Sequence, residues 1–335
     1  MKRWSLSALC SAGLALILAL PAQAGRIVDT AAVTEALGRG ATLWDIRDAE
    51  AYKAGHIPGA VNLGTRVCSQ VRTPVSWDYI PISRIIDHLQ DWGIDPGREI
   101  VLYSNKGNLC PYFILLTLEL VGARDVHVYH GGIDDWRSGD RPIDTATTTL
   151  QPIALDLYRK TGVIVSTDEV RASLVRRDVQ LLDVRTRKEF AGLDVRALRG
   201  GHIPGAINIP YEENWVDPDS LIKLQNDSTL GRDGFALKPI ADLKHLYAGL
   251  DPTRETIVYC HTSPRASVTA ALLKDIGFRD VRVYDASWAD YGNRFDLPVE
   301  NETFFDMFAL TSRIETLQRR VDDLERQLAD IKKAH

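Results

Sequence analysis

Two stretches of this chain decide its fold, and each is a copy of the other. Thr42-Leu43-Trp44-Asp45-Ile46-Arg47 leads through Glu50-Ala51-Tyr52 to Gly55-His56-Ile57-Pro58-Gly59-Ala60-Val61-Asn62. Leu181-Leu182-Asp183-Val184-Arg185 leads through Glu189-Phe190-Ala191 to Gly201-His202-Ile203-Pro204-Gly205-Ala206-Ile207-Asn208. Further out, 100–103 matches 257–259 and 122–129 matches 277–284. The period of about 140 residues far exceeds the roughly 20 to 50 of solenoid repeats, so each copy is expected to own a complete core. Within each copy, short β-branched runs alternate with helical stretches at 82–92, 240–250 and 265–276. The alternation predicts an α/β fold, two tandem domains each with a parallel sheet between helices. The expected domains are 25–144 and 163–300. They are joined by a linker at 145–162, where a Thr-rich stretch and Pro152 interrupt the pattern.

Composition agrees with this division. The 335 residues are 45% hydrophobic and 25% charged, an average soluble composition long enough for two cores. With 40 Lys and Arg against 45 Asp and Glu the net charge is −5, which offers no grip on a polyanionic backbone; nucleic acid is not an expected partner.

The amino terminus reads as a targeting segment. Lys2 and Arg3 precede an apolar run over 6–20, and Ala22-Gln23-Ala24 supplies small residues for cleavage after Ala24. The run is shorter than the roughly 20 residues a membrane span needs, so 1–24 is expected to be a cleaved signal peptide and the protein periplasmic or secreted, without a membrane anchor. Cys10 follows Leu9 rather than a small residue, which excludes a lipoprotein site. Cleavage leaves Cys68, Cys110 and Cys260, an odd number in an oxidising compartment, so at least one thiol stays unpaired.

Chemistry converges on Cys260-His261-Thr262-Ser263-Pro264-Arg265. This run joins a predicted strand to a predicted helix at the carboxyl edge of a parallel sheet, where open α/β folds place their sites. Backbone N–H groups of such a turn, with a helix amino terminus behind them, stabilise an anion, and a thiol placed there is favoured as the nucleophilic thiolate. Two other classes share these residues. A phosphatase or arsenate reductase would also use a thiolate cradle with an Arg, but on a loop one residue longer. A non-catalytic binding or assembly protein would use the domains as scaffolds.

From Met307 the apolar residues Met307, Leu310, Ile314, Leu317, Val321, Leu324, Leu328 and Ile331 alternate spacings of three and four. These are the a and d positions of a coiled coil, expected over 303–335, with Arg320 at g and Glu325 at the following e. A homo-oligomer is the expected consequence.

Taken together, Asp183 and Arg185, the two Gly-His-Ile-Pro-Gly-Ala runs, the Cys260 to Arg265 loop and Tyr284-Asp285-Ala286-Ser287-Trp288 resemble the tandem-domain rhodaneses, the thiosulfate or 3-mercaptopyruvate sulfurtransferases. The resemblance spans roughly 28–300. It implies that Cys260, with Arg265, takes a sulfane sulfur from a small anionic donor as a persulfide and passes it to a thiol or cyanide-like acceptor, with no cofactor and no metal. It makes Arg185, His261, Thr262 and Ser263 donor-binding, with Asp183, His202 and Trp288 in support. A guanidinium at 185 offers a dianionic donor two parallel hydrogen bonds where lysine offers a point charge. The first domain is implied to be inactive, since Ser104 replaces the nucleophile and Leu109 the terminal Arg. The active loop departs from the family's habit in carrying Ser263 where glycine is usual and Pro264, which lacks an N–H. A disulfide between Cys68 and Cys110 is expected, because both lie in one domain and their pairing leaves Cys260 free.

Overall fold

The computed structural model describes residues 25–63, 67–73 and 78–334, so the expected signal peptide lies outside the described residues. In the first domain, β1 (Ile27–Val28), β2 (Thr42–Asp45), β3 (Ile100–Tyr103) and β4 (Val126–Tyr129) form an all-parallel sheet in the order β1-β4-β3-β2. In the second, β5 (Ile164–Val165), β6 (Val179–Asp183), β8 (Ile207–Asn208), β9 (Glu255–Tyr259) and β10 (Asp280–Tyr284) form a parallel sheet in the order β5-β10-β9-β6-β8. An antiparallel pair, β7 (Arg199–His202) with β11 (Glu300–Phe304), stands beside it. Strands β3 and β4 are buried along their whole length, as continuous apolar runs between helical layers should be. The repeat carries through to register: Asp45 pairs with Tyr103 and Asp183 with Tyr259.

Each central strand feeds a loop and then a buried helix, Cys110–Leu120 after β3 and Pro264–Asp275 after β9. Pro111 and Pro264 sit in the first turns, where a missing N–H costs nothing. These two helices pack on each other and join the domains. Val268 and Ala271 belong to the core of the first domain, and Leu116 and Leu120 to that of the second. Burying such a leucine stabilises by about 1.5–3 kcal/mol. Ion pairs nearby, such as Lys274 to Glu119 at 2.7 Å, are the lesser contribution, because both side chains are largely buried and desolvation offsets much of their attraction.

Two expected boundaries move. The second domain does not end at 300, because β11 continues to Phe304 and is held by Arg199 to Glu302 at 3.0 Å and by the Thr303 hydroxyl to the Gly192 carbonyl at 2.7 Å. The tail helix therefore begins at Met307 rather than 303. The stretch 145–162 lacks regular structure but is not a free tether: Leu150, Leu155 and Leu157 pack on the first domain's core, and Ile153 N–H donates to the Gln90 carbonyl at 3.0 Å.

Candidate active site

Cys260 directly follows β9, is fully buried, and is the sole free cysteine among the described residues. Its backbone is gripped by the turn after β10. The Ser287 hydroxyl accepts from the Cys260 N–H at 3.2 Å, and Trp288 N–H donates to the Cys260 carbonyl at 3.1 Å. Among the described residues, none accepts from the N–H groups of His261, Thr262 or Ser263, which leaves a cradle for an anion. Ser263 holds a φ of +83° and Ser287 a φ of +54°, left-handed conformations that favour glycine. The first domain has glycine at both equivalent positions, Gly107 at +83° and Gly132 at +56°. One of these strained residues lies on the loop that carries the thiol and the other on the turn that grips it, a placement typical of functional sites.

In the equivalent loop of the first domain one of the three corresponding N–H groups is already taken. Asp134 accepts from the Lys106 N–H at 2.7 Å and from Asn105 at 3.3 Å, and the buried Lys106 ammonium pairs with Asp135. Carboxylates of the same domain thus take the Lys106 N–H, its ammonium group and the Asn105 side-chain amide.

Arg265 stands in the first turn of its helix, but both terminal nitrogens fork onto Glu189, at 2.7 and 2.8 Å. Burial works against the Arg265 charge, yet the Glu189 bonds and the neighbouring Cys260 sulfur outweigh it and raise its pKa. Burial likewise pushes the Glu189 carboxyl up, but Arg265, Arg196 and the Thr186 N–H hold it down at about 2. Thr186 and Glu189 form a reciprocal capping box, so the carboxylate is fixed from both sides. His261 is pushed down to about 4 by burial and then by the Arg265 charge, so it is neutral near pH 7 and brings no cation to the loop. Sequence reasoning missed Glu189 as a partner of Arg265, 76 residues away, and missed Glu212 altogether. Burial pushes Glu212 up to about 7 against the opposing pull of its own backbone N–H and Arg265, and among the described residues its buried Oε2 has no hydrogen-bond partner.

Arg185 is placed differently from the implied donor contact. It is 1% exposed; its Nε lies 3.0 Å and its Nη2 2.6 Å from Asp183, and Nη2 also reaches the Gly201 carbonyl at 2.7 Å. The guanidinium lies 4.3 Å over the Trp288 ring. Arg47 repeats the arrangement in the domain without a nucleophile, with Asp45 at 3.0 and 2.6 Å and the Gly55 carbonyl at 2.8 Å. A geometry shared by both copies braces the strand end, and the fork is already spent on Asp183. His202 braces its loop through the Phe190 carbonyl at 2.9 Å and Glu300 at 3.1 Å, and Trp288 is wall packing whose indole N–H donates to the Arg199 carbonyl at 3.0 Å. Cys68 and Cys110 are joined as a disulfide with a Cα separation of 6.0 Å. No group of three or more His, Cys, Asp or Glu among the described residues is arranged to hold a metal ion.

Comparison with known proteins follows the same division. The rhodanese-like domain family matches 29–139 and again 166–294. The thiosulfate sulfurtransferase of Corynebacterium glutamicum is 34% identical over 269 residues, covering 76% of this chain and 82% of that protein. The thiosulfate sulfurtransferase of Azotobacter vinelandii is 28% identical over 260 residues, covering 77% and 90%. Among solved structures, the anaerobic ergothioneine biosynthesis enzyme from Chlorobium limicola superposes with a TM-score of 0.68 over 82% of this chain and 70% of that one, at 22% identity, a likeness of fold. With both domains matched and a relative above 30% identity along most of its length, the chain belongs to the rhodanese-like family, and the protein is a sulfurtransferase.

Proposed function

We propose that Cys260 carries the sulfur, and that the donor is thiosulfate or a similar small anion. The Cys260 thiolate attacks the outer sulfur of thiosulfate; the new S–S bond forms as the sulfur–sulfur bond of the donor breaks, and sulfite leaves with the electron pair. A thiol or cyanide-like acceptor then attacks the outer sulfur of the persulfide and releases the thiolate. No net oxidation occurs, and no cofactor is required.

The observation that carries this reading is the contrast between the two copies. Among the described residues the N–H groups of His261, Thr262 and Ser263 beside the free thiol have no acceptor, while in the serine-bearing copy Asp134 takes the N–H of Lys106, the equivalent of Thr262, and no free thiol follows the strand. The names of the relatives support thiosulfate as donor. The amino-terminal segment supports action outside the cytoplasm, and the heptads of the tail support assembly of the protein as a homo-oligomer through a coiled coil.

A thiosulfate:cyanide assay on the mature protein tests the proposal. Cys260→Ser should abolish turnover and the sulfur adduct seen by mass spectrometry, while Ser104→Ala should keep both. Turnover surviving in Cys260→Ser overturns the reading.

A further inference from the structure

A side chain of the first domain reaches the turn that grips the nucleophile loop. Arg72, two residues beyond the short helix Val67–Gln70 that holds Cys68, forks onto Asp285 with both bonds at 2.6 Å. Arg72 and Asp285 are each 6% exposed. The guanidinium lies 4.3 Å from the Tyr79 ring and 4.3 Å from the Phe113 ring. Phe113 belongs to the helix that Cys110 opens, so the disulfide ties the Arg72 segment to the helix it rests on.

Asp285 opens the turn that grips the thiol. Two residues on, the Ser287 hydroxyl accepts from Cys260 N–H, and Trp288 and Ala289 donate to the carbonyls of Cys260 and His261 at 3.1 and 3.0 Å. Burial pushes the Asp285 carboxyl up, against the pull of Arg72 and, more weakly, of the Ser263 hydroxyl. In the first domain the equivalent of Asp285 is His130, which also crosses the interface, to the Phe235 carbonyl at 2.7 Å. Both copies use this position to link the domains, but a pair of opposite charges does so only at the copy with the thiol.

A buried ion pair is a weak device for stability, since apolar replacements often serve as well, but it fixes geometry. Here it lies beneath Ser263 and Ser287, whose backbones need to be over-determined by their surroundings. We propose that Arg72 is a positioning residue for sulfur transfer, the first domain's contribution to the nucleophile loop: its fork keeps the 285–289 turn in place, and that turn holds Cys260 and His261. The proposal rests on the persulfide reading of Cys260.

The test is the pH dependence of thiosulfate:cyanide turnover in the full mature chain with Arg72→Met, alone and combined with Asp285→Asn. The charged and titratable groups facing Asp285 are Arg72, Asp78 and Tyr79, with the Ser263 hydroxyl. Without Arg72 the Asp285 carboxylate is buried and unpaired, so kcat near pH 8 should fall about ten-fold while KM for thiosulfate stays within about two-fold. The deficit should shrink as the pH falls and Asp285 takes up a proton, and the acid recovery should be absent from the double variant. A folded Arg72→Met protein with the wild-type profile overturns the proposal, as does a loss that is equal at every pH and follows the melting temperature. Should Arg72→Met not fold, Arg72→Lys decides: lowered kcat with KM kept supports positioning by the fork, and wild-type kcat overturns it. Cys260→Ala, assayed in parallel, tests the persulfide reading by itself.

Discussion

Arg185 and Arg47 make the same bonds in two domains of which one has a thiol, so they form an internal control for the role of the Asp-x-Arg motif. Lysine cannot reproduce a fork to Asp183 together with a bond to the Gly201 carbonyl. Arg185→Lys should therefore cost about 2–3 kcal/mol in denaturant melts and leave KM for thiosulfate within about two-fold. Arg47→Lys should cost a similar amount. A tenfold rise in KM for Arg185→Lys alone would return that residue to donor binding. Glu212 carries a second expectation at this scale. Its carboxyl is raised to about 7, so it is neutral below that pH and negative above it, close to Arg265. A dianionic donor is repelled by the charged form. KM for thiosulfate should climb as the pH rises through about 7, and Glu212→Gln should flatten the rise; an unaltered profile in that variant would place Glu212 outside the donor's path. The loop that carries the free thiol was legible in the sequence because Cys260 and Arg265 share one short run between a strand and a helix. The bonds of Arg185 to Asp183 and Gly201 were not foreseen: the motif implied donor binding, although Asp45 and Arg47 repeat it beside Ser104. Glu189, Glu212 and the Arg72–Asp285 pair were not legible either, because each acts on the loop from a remote part of the chain and no spacing rule connects them.

Among the elements, the helices that follow the two loops have the largest consequences. Cys110–Leu120 and Pro264–Asp275 are buried nearly all round, so neither shows the one-sided periodicity of a surface helix, and their mutual packing had no signature in the sequence. The repeat predicted both domains but not the interface between them. The disulfide pins the first of these helices at its amino terminus. Cys68 and Cys110 are 42 residues apart, and closing a loop of that length in the unfolded chain corresponds to about 4 kcal/mol in the chain-entropy model. A Cys68→Ala/Cys110→Ala protein should lose about 2–4 kcal/mol of stability, read as a lower denaturant midpoint at unchanged slope. If the midpoint stays where it was, the bond is not formed in the mature protein. Loss of the bond also frees the segment that carries Arg72, so the same variant should show part of the kcat deficit of Arg72→Met.

At the scale of the whole molecule, two covered domains end in an uncovered helix. Met307–Ala334 would be about 42 Å long at 1.5 Å per residue, and every seam residue from Met307 to Ile331 is between 39% and 61% exposed. The helix does not fold its apolar stripe back on its own domain, and eight such residues left in water are a standing drive to association. The occupant proposed for the stripe is a second copy of the same helix. Ile314 and Val321 at a with Leu317 and Leu324 at d favour two strands, and a parallel pair sets Arg320 against Glu325 of its partner. An antiparallel pair would instead turn the g positions, Arg313 and Arg320, toward one another. The mature chain should therefore run as a dimer in light scattering. Removal of 306–335 should give monomers with unchanged kcat; a cut at 301 would be a poor test, since it removes most of β11 and its bonds to Arg199 and Gly192. Leu317→Asp with Leu324→Asp should match the truncation without shortening the chain. A full-length protein that is monomeric at micromolar concentration would overturn the coiled coil, and the stripe would then need a different partner.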